Sequence, residues 1–308
     1  MDARPEPKIA VLPKTADWID HAVTSAGGFL VAPEVATALV WTTHSAPDDL
    51  ARAVEAAPRL EWVQLPWAGV EPYLDVIRSH THIHWTCAKG VYAEPVAEHA
   101  LALLLAGFRH LGAYARAESW GRGEGRNLFD ARITILGGGG IAHDLINLLR
   151  PFRCEITVVR NHPEPMDGVV CVLGADRVDQ AMEGAHGVVI ALPMLESTRG
   201  VVGAEQLALL APGAWVINVG RGEHIVTDAL VDALDSGRLG GAGLDVTDPE
   251  PLPDGHPLWG RPNVIITPHT GNTREMARPL LSRRIRENVR AYSTGEPLVG
   301  TVDPVLGY

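Results

Sequence analysis

Residues 137–142 read GGGGIA, and within them Gly137, Gly139 and Ala142 fit the spacing G-x-G-x-x-G/A. Each position has its own physical role. The first glycine permits a tight turn, the second lets a pyrophosphate approach the backbone, and the small third residue lets helix and strand pack closely. Gly140 and Ile141 then open a helix whose unpaired N–H groups and partial positive charge attract phosphate. A plain flexible glycine loop would carry the same letters. The context points to a dinucleotide, because Ile133, Ile135 and Leu136 form a strand before the loop and Ile141, Leu145, Leu148 and Leu149 recur at helical spacing after it.

A second strand, ending in TVVRNHP (residues 157–163), terminates on Arg160. That is about 20 residues beyond Gly139, where a dinucleotide fold usually carries the Asp or Glu that grips the adenosine ribose. A carboxylate there accepts hydrogen bonds from a 2′-hydroxyl and repels a 2′-phosphate, whereas a guanidinium offers that phosphate a fork of donors. Arg160 therefore predicts NADPH as the preferred cofactor, with NAD still possible. Asn161 and His162 add donors to the same phosphate or build the turn before Pro163. The bland reading of Arg160 is an exposed charge at a strand end.

These groups need a scaffold, and the chain is long enough to supply two domains. Its 308 residues are 46% hydrophobic and 20% charged, a globular composition. The 37 acidic against 26 basic residues give a net charge of −11, and no basic block is present, which argues against a nucleic-acid partner. No stretch has the length and apolarity of a membrane span or the pattern of a secretory signal, so a cytoplasmic protein is expected. Cys87, Cys154 and Cys171 are odd in number and singly placed, predicting buried reduced thiols and no metal site.

Strand and helix signals alternate. KIAVLP, ATALVW, LEWVQL and IHWTCA read as four strands separated by helical segments, the pattern of a parallel sheet covered on both faces. From residue 94 to about 118 the chain reads as one long helix, apolar on most sides, that crosses into a second domain. Beyond the glycine loop, GVVIALP, AWVINVG, GAGLDV and NVIITPH are further buried parallel strands. They end at Pro193, at Gly220-Arg221-Gly222, at Asp245 and at His269, and ligands of open α/β sheets sit at such carboxyl ends.

The segment INVGRGEHIVTDALVDALDSGRLGGAGLDVTDPEPLPDGHPLWGRPNVIITPHTGN (217–272) resembles the signature region of the D-isomer-specific 2-hydroxyacid dehydrogenase family, and EPVAEHALALLLAGFR resembles the long helix preceding that family's glycine motif. The similarity runs from about residue 60 to 286. It implies that Arg221, Glu250 and His269 carry the chemistry. Their types suit the reduction of a 2-oxo acid. His269 is a general acid near neutral pH, Glu250 holds its ring and favours the imidazolium, and Arg221 grips carboxylate and carbonyl oxygens with its planar fork.

The resemblance also implies that Ala68 and Gly69, in LPWAGVEPY, hold the substrate carboxylate through backbone amides, with Trp67 lining the pocket or packing against it. It places Leu192, Pro193, Thr198, Val219 and Gly271 beside the cofactor, and Asp245 at the nicotinamide carboxamide. Two departures stand out: His186-Gly187 replaces the family's frequent Ala-Asp, and Arg160 replaces the acidic residue of the NAD-using majority, in the manner of NADPH-dependent glyoxylate and hydroxypyruvate reductases.

The expected architecture is α/β, with two doubly wound parallel-sheet domains: a flavodoxin-like substrate domain, residues 1–92 completed by 283–308, and a Rossmann dinucleotide-binding domain, residues 93–282. The resemblance implies a cleft between them and a homodimer. The expected reaction is reduction of glyoxylate or hydroxypyruvate, small 2-oxo acids, to the D-2-hydroxy acid. A dehydrogenase for a larger oxo acid and a non-catalytic nucleotide-sensing protein of the same fold remain open at this point.

Overall fold

The computed structural model describes residues 6–43 and 46–305. The chain divides into two compact units, Met1–Tyr92 with Thr273–Tyr308, and Ala93–Asn272.

The first unit holds a five-stranded parallel sheet built from β1 (Lys8–Leu12), β2 (Phe29–Leu30), β3 (Ala38–Trp41), β4 (Trp62–Gln64) and β5 (His84–Thr86), in the order β2-β1-β3-β4-β5. The four strands read from sequence are present. The two-residue edge strand β2 carries the exposed side chains Phe29 and Leu30, with no alternation or apolar run to announce it. Ile9, Leu39, Trp41, Trp62, Val63 and Trp85 are buried, as strands covered on both faces require.

The helix Arg274–Thr294 belongs whole to this unit, so the chain returns at residue 273, whereas the sequence reading placed the return at 283. The helix is one continuous object: Thr273 Oγ1 accepts the Met276 N–H at its start, and Gly295, at φ 79, closes its end. Its buried face, Ala277, Leu281, Ile285 and Val289, runs through the anticipated boundary. The buried Asn288 anchors it, donating to Gln64 Oε1 at 2.8 Å and to Val299 O at 2.9 Å and accepting the Val299 N–H at 2.8 Å.

The second unit holds seven parallel strands: β6 (Arg132–Leu136), β7 (Glu155–Val159), β8 (Cys171–Leu173), β9 (Gly187–Ile190), β10 (Ala214–Asn218), β11 (Leu239–Leu244) and β12 (Val264–Ile266). Their order, β12-β11-β10-β9-β6-β7-β8, is that of a Rossmann sheet, with the chain reversing direction across the sheet between β6 and β9. The switch point therefore lies at the glycine loop that follows β6. Only β8, three residues long, escaped the sequence reading.

The long helix is shorter than expected. It spans Ala93–Phe108, and a separate short helix follows at Leu111–Ala115. His110 sits in the left-handed region at φ 53, which an α-helix does not accommodate, and Arg126 N–H takes the Phe108 carbonyl at 2.7 Å. Within the helix, Gly107 lies against the buried Trp215 ring so closely that a Cβ would overlap it. The cysteines also differ in part from expectation. All three are free thiols, but Cys154 and Cys171 are half-buried and only Cys87 is fully enclosed. No helix among the described residues is long and apolar enough to cross a membrane.

Candidate active site

The glycine loop follows β6 directly. Gly137 adopts φ 115, and a Cβ there would collide with the Ala191 carbonyl, so the turn admits no side chain. Gly139 faces open space, where a Cβ would meet nothing within 4 Å. Gly139 and Gly140 are exposed at the head of the helix Gly140–Leu149, whose Ala142, Leu145, Ile146 and Leu149 are buried. The surface at Gly139 and the helix N-terminus is thus an uncovered cradle of N–H groups, and it fits the pyrophosphate of a dinucleotide.

Arg160 lies across this loop. Its backbone N–H donates to Leu173 O at 3.0 Å, continuing the β7–β8 pairing, and its side chain covers Gly138. A Cβ on Gly138 would stand 2.8 Å from Arg160 Cδ and 2.9 Å from its Cβ. The guanidinium stem is therefore laid over the glycine loop. Asn161 and His162 follow as exposed residues.

The strand ends of β9 to β12 carry the other expected residues. Leu192 and Pro193 follow β9, and Thr198 braces their turn by donating to Pro193 O at 2.8 Å and accepting the Leu195 N–H at 2.9 Å. Val219 is buried and donates to Ile190 O at 3.1 Å. Arg221 follows Gly220, its Nη1 donating to the Gly220 carbonyl at 2.8 Å. Asn218 shapes this turn from both sides, accepting the Gly220 N–H at 3.0 Å and donating to Arg221 O at 2.8 Å. At the His186-Gly187 departure, His186 Nδ1 accepts the Arg132 N–H at 3.1 Å and Gly187 opens β9.

His269 and Glu250 meet. His269 Nδ1 lies 2.7 Å from Glu250 Oε1, with both side chains about half exposed (50% and 42%), so the carboxylate orients the ring through Nδ1. His269 occupies the left-handed region at φ 52, held there by its N–H donating to Asp245 O and Thr267 O, each at 2.9 Å. Asp245 is buried and is the hub of this corner. Its Oδ1 accepts the Thr267 hydroxyl at 2.6 Å and the Thr270 N–H at 2.8 Å, and its Oδ2 accepts the Gly271 N–H at 2.9 Å. Burial pushes its carboxyl up, but the hydrogen bonds from His99, Thr267, Gly271 and Thr270 outweigh it and bring the group down to about 2.

Three residues of this corner escaped the sequence reading. His99, in the helix Ala93–Phe108, reaches Thr267 Oγ1 at 2.9 Å and Asp245 Oδ1 at 3.3 Å. Thr267 precedes His269 by two positions and gave no separate signal. His224 stands three residues after Arg221, the spacing at which a side chain returns to the N-terminal N–H of a turn, and that signal was available.

In the first unit, Ala68 and Gly69 lie just after β4, Ala68 exposed and Gly69 half-buried. The loop is braced from the β5 side. The Ala88 N–H donates to Trp67 O at 3.0 Å, and Tyr92 donates its hydroxyl to Pro66 O at 2.6 Å while its ring packs 5.6 Å from that of Trp67. Burial raises the Tyr92 phenol and keeps it a donor.

Residues 100–271 match the family model described as the D-isomer specific 2-hydroxyacid dehydrogenase NAD binding domain. The chain is 33% identical over 263 residues to glyoxylate/hydroxypyruvate reductase A of Serratia proteamaculans, covering 81% of this chain and 82% of that one. It is 40% identical over 255 residues to an uncharacterized protein of Corynebacterium melassecola, covering 81% and 84% of the two chains. Among solved structures it resembles a D-isomer specific 2-hydroxyacid dehydrogenase from Xanthobacter autotrophicus in complex with NADPH and MES, with TM-score 0.83, 27% identity and coverage of 99% and 100%. It also resembles an NADPH-dependent glyoxylate/hydroxypyruvate reductase from Sinorhizobium meliloti in complex with NADP and sulfate, with TM-score 0.81, 26% identity and coverage of 99% and 100%.

Proposed function

The chain belongs to the D-isomer specific 2-hydroxyacid dehydrogenase family of NAD(P)-binding oxidoreductases, and from that premise we propose that it reduces glyoxylate or hydroxypyruvate to the D-2-hydroxy acid, with NADPH as the preferred cofactor. The observation that carries the reading is the 2.7 Å pair of His269 and Glu250, which holds the ring through one nitrogen and leaves the other for the substrate.

In this mechanism Gly137, Gly139, Gly140 and Ile141 would hold the cofactor's pyrophosphate and Arg160 its 2′-phosphate, while Leu192, Pro193, Val219, Asp245 and Gly271 border it. The bound cofactor supplies a hydride to the carbonyl carbon. Arg221 binds the substrate's carboxylate and carbonyl oxygens, its guanidinium plane set by the bond to Gly220 O, and so orients the carbon. His269, protonated, gives its Nε2 proton to the carbonyl oxygen as negative charge develops there, while Glu250 accepts from Nδ1 and keeps the ring aligned.

The preference for a small substrate is supported by the reductase from Serratia and the structure from Sinorhizobium, both named for glyoxylate and hydroxypyruvate. The test is a panel of 2-oxo acids assayed with NADPH and NADH. Glyoxylate or hydroxypyruvate should give the highest kcat/KM; a branched or aromatic oxo acid at the top of the panel, or no turnover with any, would overturn the reading.

A further inference from the structure

We propose that His224 is a positioning residue, whose neutral imidazole ties the backbone of Arg221 to the Pro193 turn and so sets the arginine and the cofactor-bordering loop in one frame. The inference rests on the role given above to Arg221.

The ring is completely buried and bonded at both nitrogens. Nδ1 accepts the Arg221 N–H at 3.1 Å, and Nε2 lies 3.2 Å from Pro193 O. An N–H can only donate and a carbonyl can only accept, so the two partners select a single form: the neutral ring with its proton on Nε2. The ring also packs on Gly220, where a Cβ would stand 3.0 Å from Cε1 and Nδ1.

The segment around His224 is held independently of this ring. Gly200 N donates to Glu223 O at 2.7 Å, Val202 N to His224 O at 3.0 Å and Val226 N to Val202 O at 3.0 Å. Those backbone bonds fix the chain at 223–226 and leave the imidazole to do something else. What it adds is a link between the end of β10, which carries Arg221, and the end of β9, which carries Leu192 and Pro193.

The same geometry makes the link sensitive to acid. A proton on Nδ1 would face the Arg221 N–H donor-to-donor and break the contact. Burial lowers the His224 pKa below the ordinary 6.5 and the Arg221 charge lowers it further, while the bond to Pro193 O and the Glu223 carboxylate act in the opposite sense. The ring therefore stays neutral at pH 7 and charges only in acid.

Two isosteric substitutions separate the two bonds. His224→Asn puts an oxygen where Nδ1 stands and keeps the Arg221 bond, losing the one to Pro193, whose carbonyl still accepts Thr198. His224→Gln puts an amide N–H where Nε2 stands and keeps the Pro193 bond, losing the one from the part-buried Arg221 N–H. We expect His224→Gln to raise the KM of the oxo acid and lower its kcat/KM by roughly tenfold to a hundredfold, with the NADPH KM little changed, and His224→Asn to lower it by no more than about threefold. In the wild type, kcat/KM for the oxo acid should fall in acid, below the ordinary imidazole range, and that limb should be missing in His224→Asn.

Equal losses in the two variants, tracking their thermal midpoints, would make His224 a packing residue and overturn the proposal. So would a wild-type profile with no acid limb, a measurement that needs no variant to fold. Arg221→Lys, assayed in parallel, separates the two levels. An undiminished Arg221→Lys enzyme would sink the functional reading, whereas a crippled one beside a His224→Gln variant with wild-type oxo-acid KM would sink this inference alone.

Discussion

The backbone N–H of His269 donates to the carbonyl of Asp245 at 2.9 Å, and the Asp245 carboxylate closes on the next two N–H groups, Thr270 at 2.8 Å and Gly271 at 2.9 Å. The end of β11 thus holds, through both ends of one aspartate, the turn that presents His269 at φ 52. A histidine in that region costs on the order of 1 kcal/mol, which the clamp offsets.

Asp245→Asn tests the clamp. An amide has one oxygen and one NH₂, so at least one buried N–H loses its acceptor, at about 1–3 kcal/mol. The thermal midpoint should fall and kcat should drop by roughly tenfold or more as the His269 turn loosens. A destabilised variant with wild-type kcat would divorce the clamp from catalysis. The pH dependence has a definite sign. With the folded group brought down to about 2 from its ordinary 3.8, its contribution is complete above 3.8 and lost as pH falls through 2. The difference amounts to about 2 kcal/mol, absent from acid unfolding curves of the Asn variant.

His269→Ala should leave NADPH binding near the wild-type value and lower turnover by roughly two to four orders of magnitude, the scale of a positioned proton donor. Glu250→Gln keeps a hydrogen-bond acceptor for Nδ1 but removes the charge, and should cost less, about tenfold to a hundredfold in kcat. Steady-state kinetics with NADPH titrated by fluorescence read both. Turnover within a fewfold of wild type in a folded His269→Ala protein would remove it from the mechanism.

What the sequence made legible follows from how local each signal is. The strands with uninterrupted apolar runs, such as Val188 to Ile190 and Ala214 to Ile217, announced themselves because both faces are covered; the short β2 and β8 gave too few residues to show a period. The end of the long helix at Phe108 was hidden because the left-handed turn is made by His110 and not by a glycine or proline. Residues set in motifs, Arg221, Glu250 and His269 among them, were visible along the chain. His99 was not, since its link to Asp245 joins a helix to a strand end far away in sequence, and no spacing rule connects them.

Gly107→Ala opposes two effects of known sign. Helix propensity alone favours alanine by about 1 kcal/mol. The added Cβ, however, overlaps the Trp215 ring, which is buried between helix and sheet and has no space to retreat. Overpacking of this kind costs typically about 1–3 kcal/mol, so the net change should be destabilising and read as a lower urea midpoint at constant slope. A gain in stability would mean that the Trp215 ring shifts freely.

On the proposed reading, Arg160 and Gly138 set the choice of cofactor. The Arg160 side chain lies over Gly138, placing the guanidinium stem on the glycine loop, so a 2′-phosphate bound there would meet a cation where NADH presents only a hydroxyl. A charge-assisted hydrogen bond is worth about 1.5–3 kcal/mol, and each 1.4 kcal/mol is about tenfold. Arg160→Asp should therefore lower kcat/KM for NADPH by roughly one to two orders of magnitude, toward the upper end because the carboxylate also repels the phosphate, and spare or improve NADH. Gly138→Ala offers a second route to the same contact. Its Cβ would press on Arg160 Cδ and Cβ, so the arginine must leave its place over the loop, and the NADPH KM should rise while the NADH KM moves less. Salt supplies an independent check, because a partly exposed phosphate contact is screened: NADPH affinity should fall with ionic strength more steeply than NADH affinity. The deciding quantity is the ratio of kcat/KM for the two cofactors in wild type and in each variant. A wild-type preference for NADH, or a ratio that neither substitution moves, would leave Arg160 an ordinary strand-end charge.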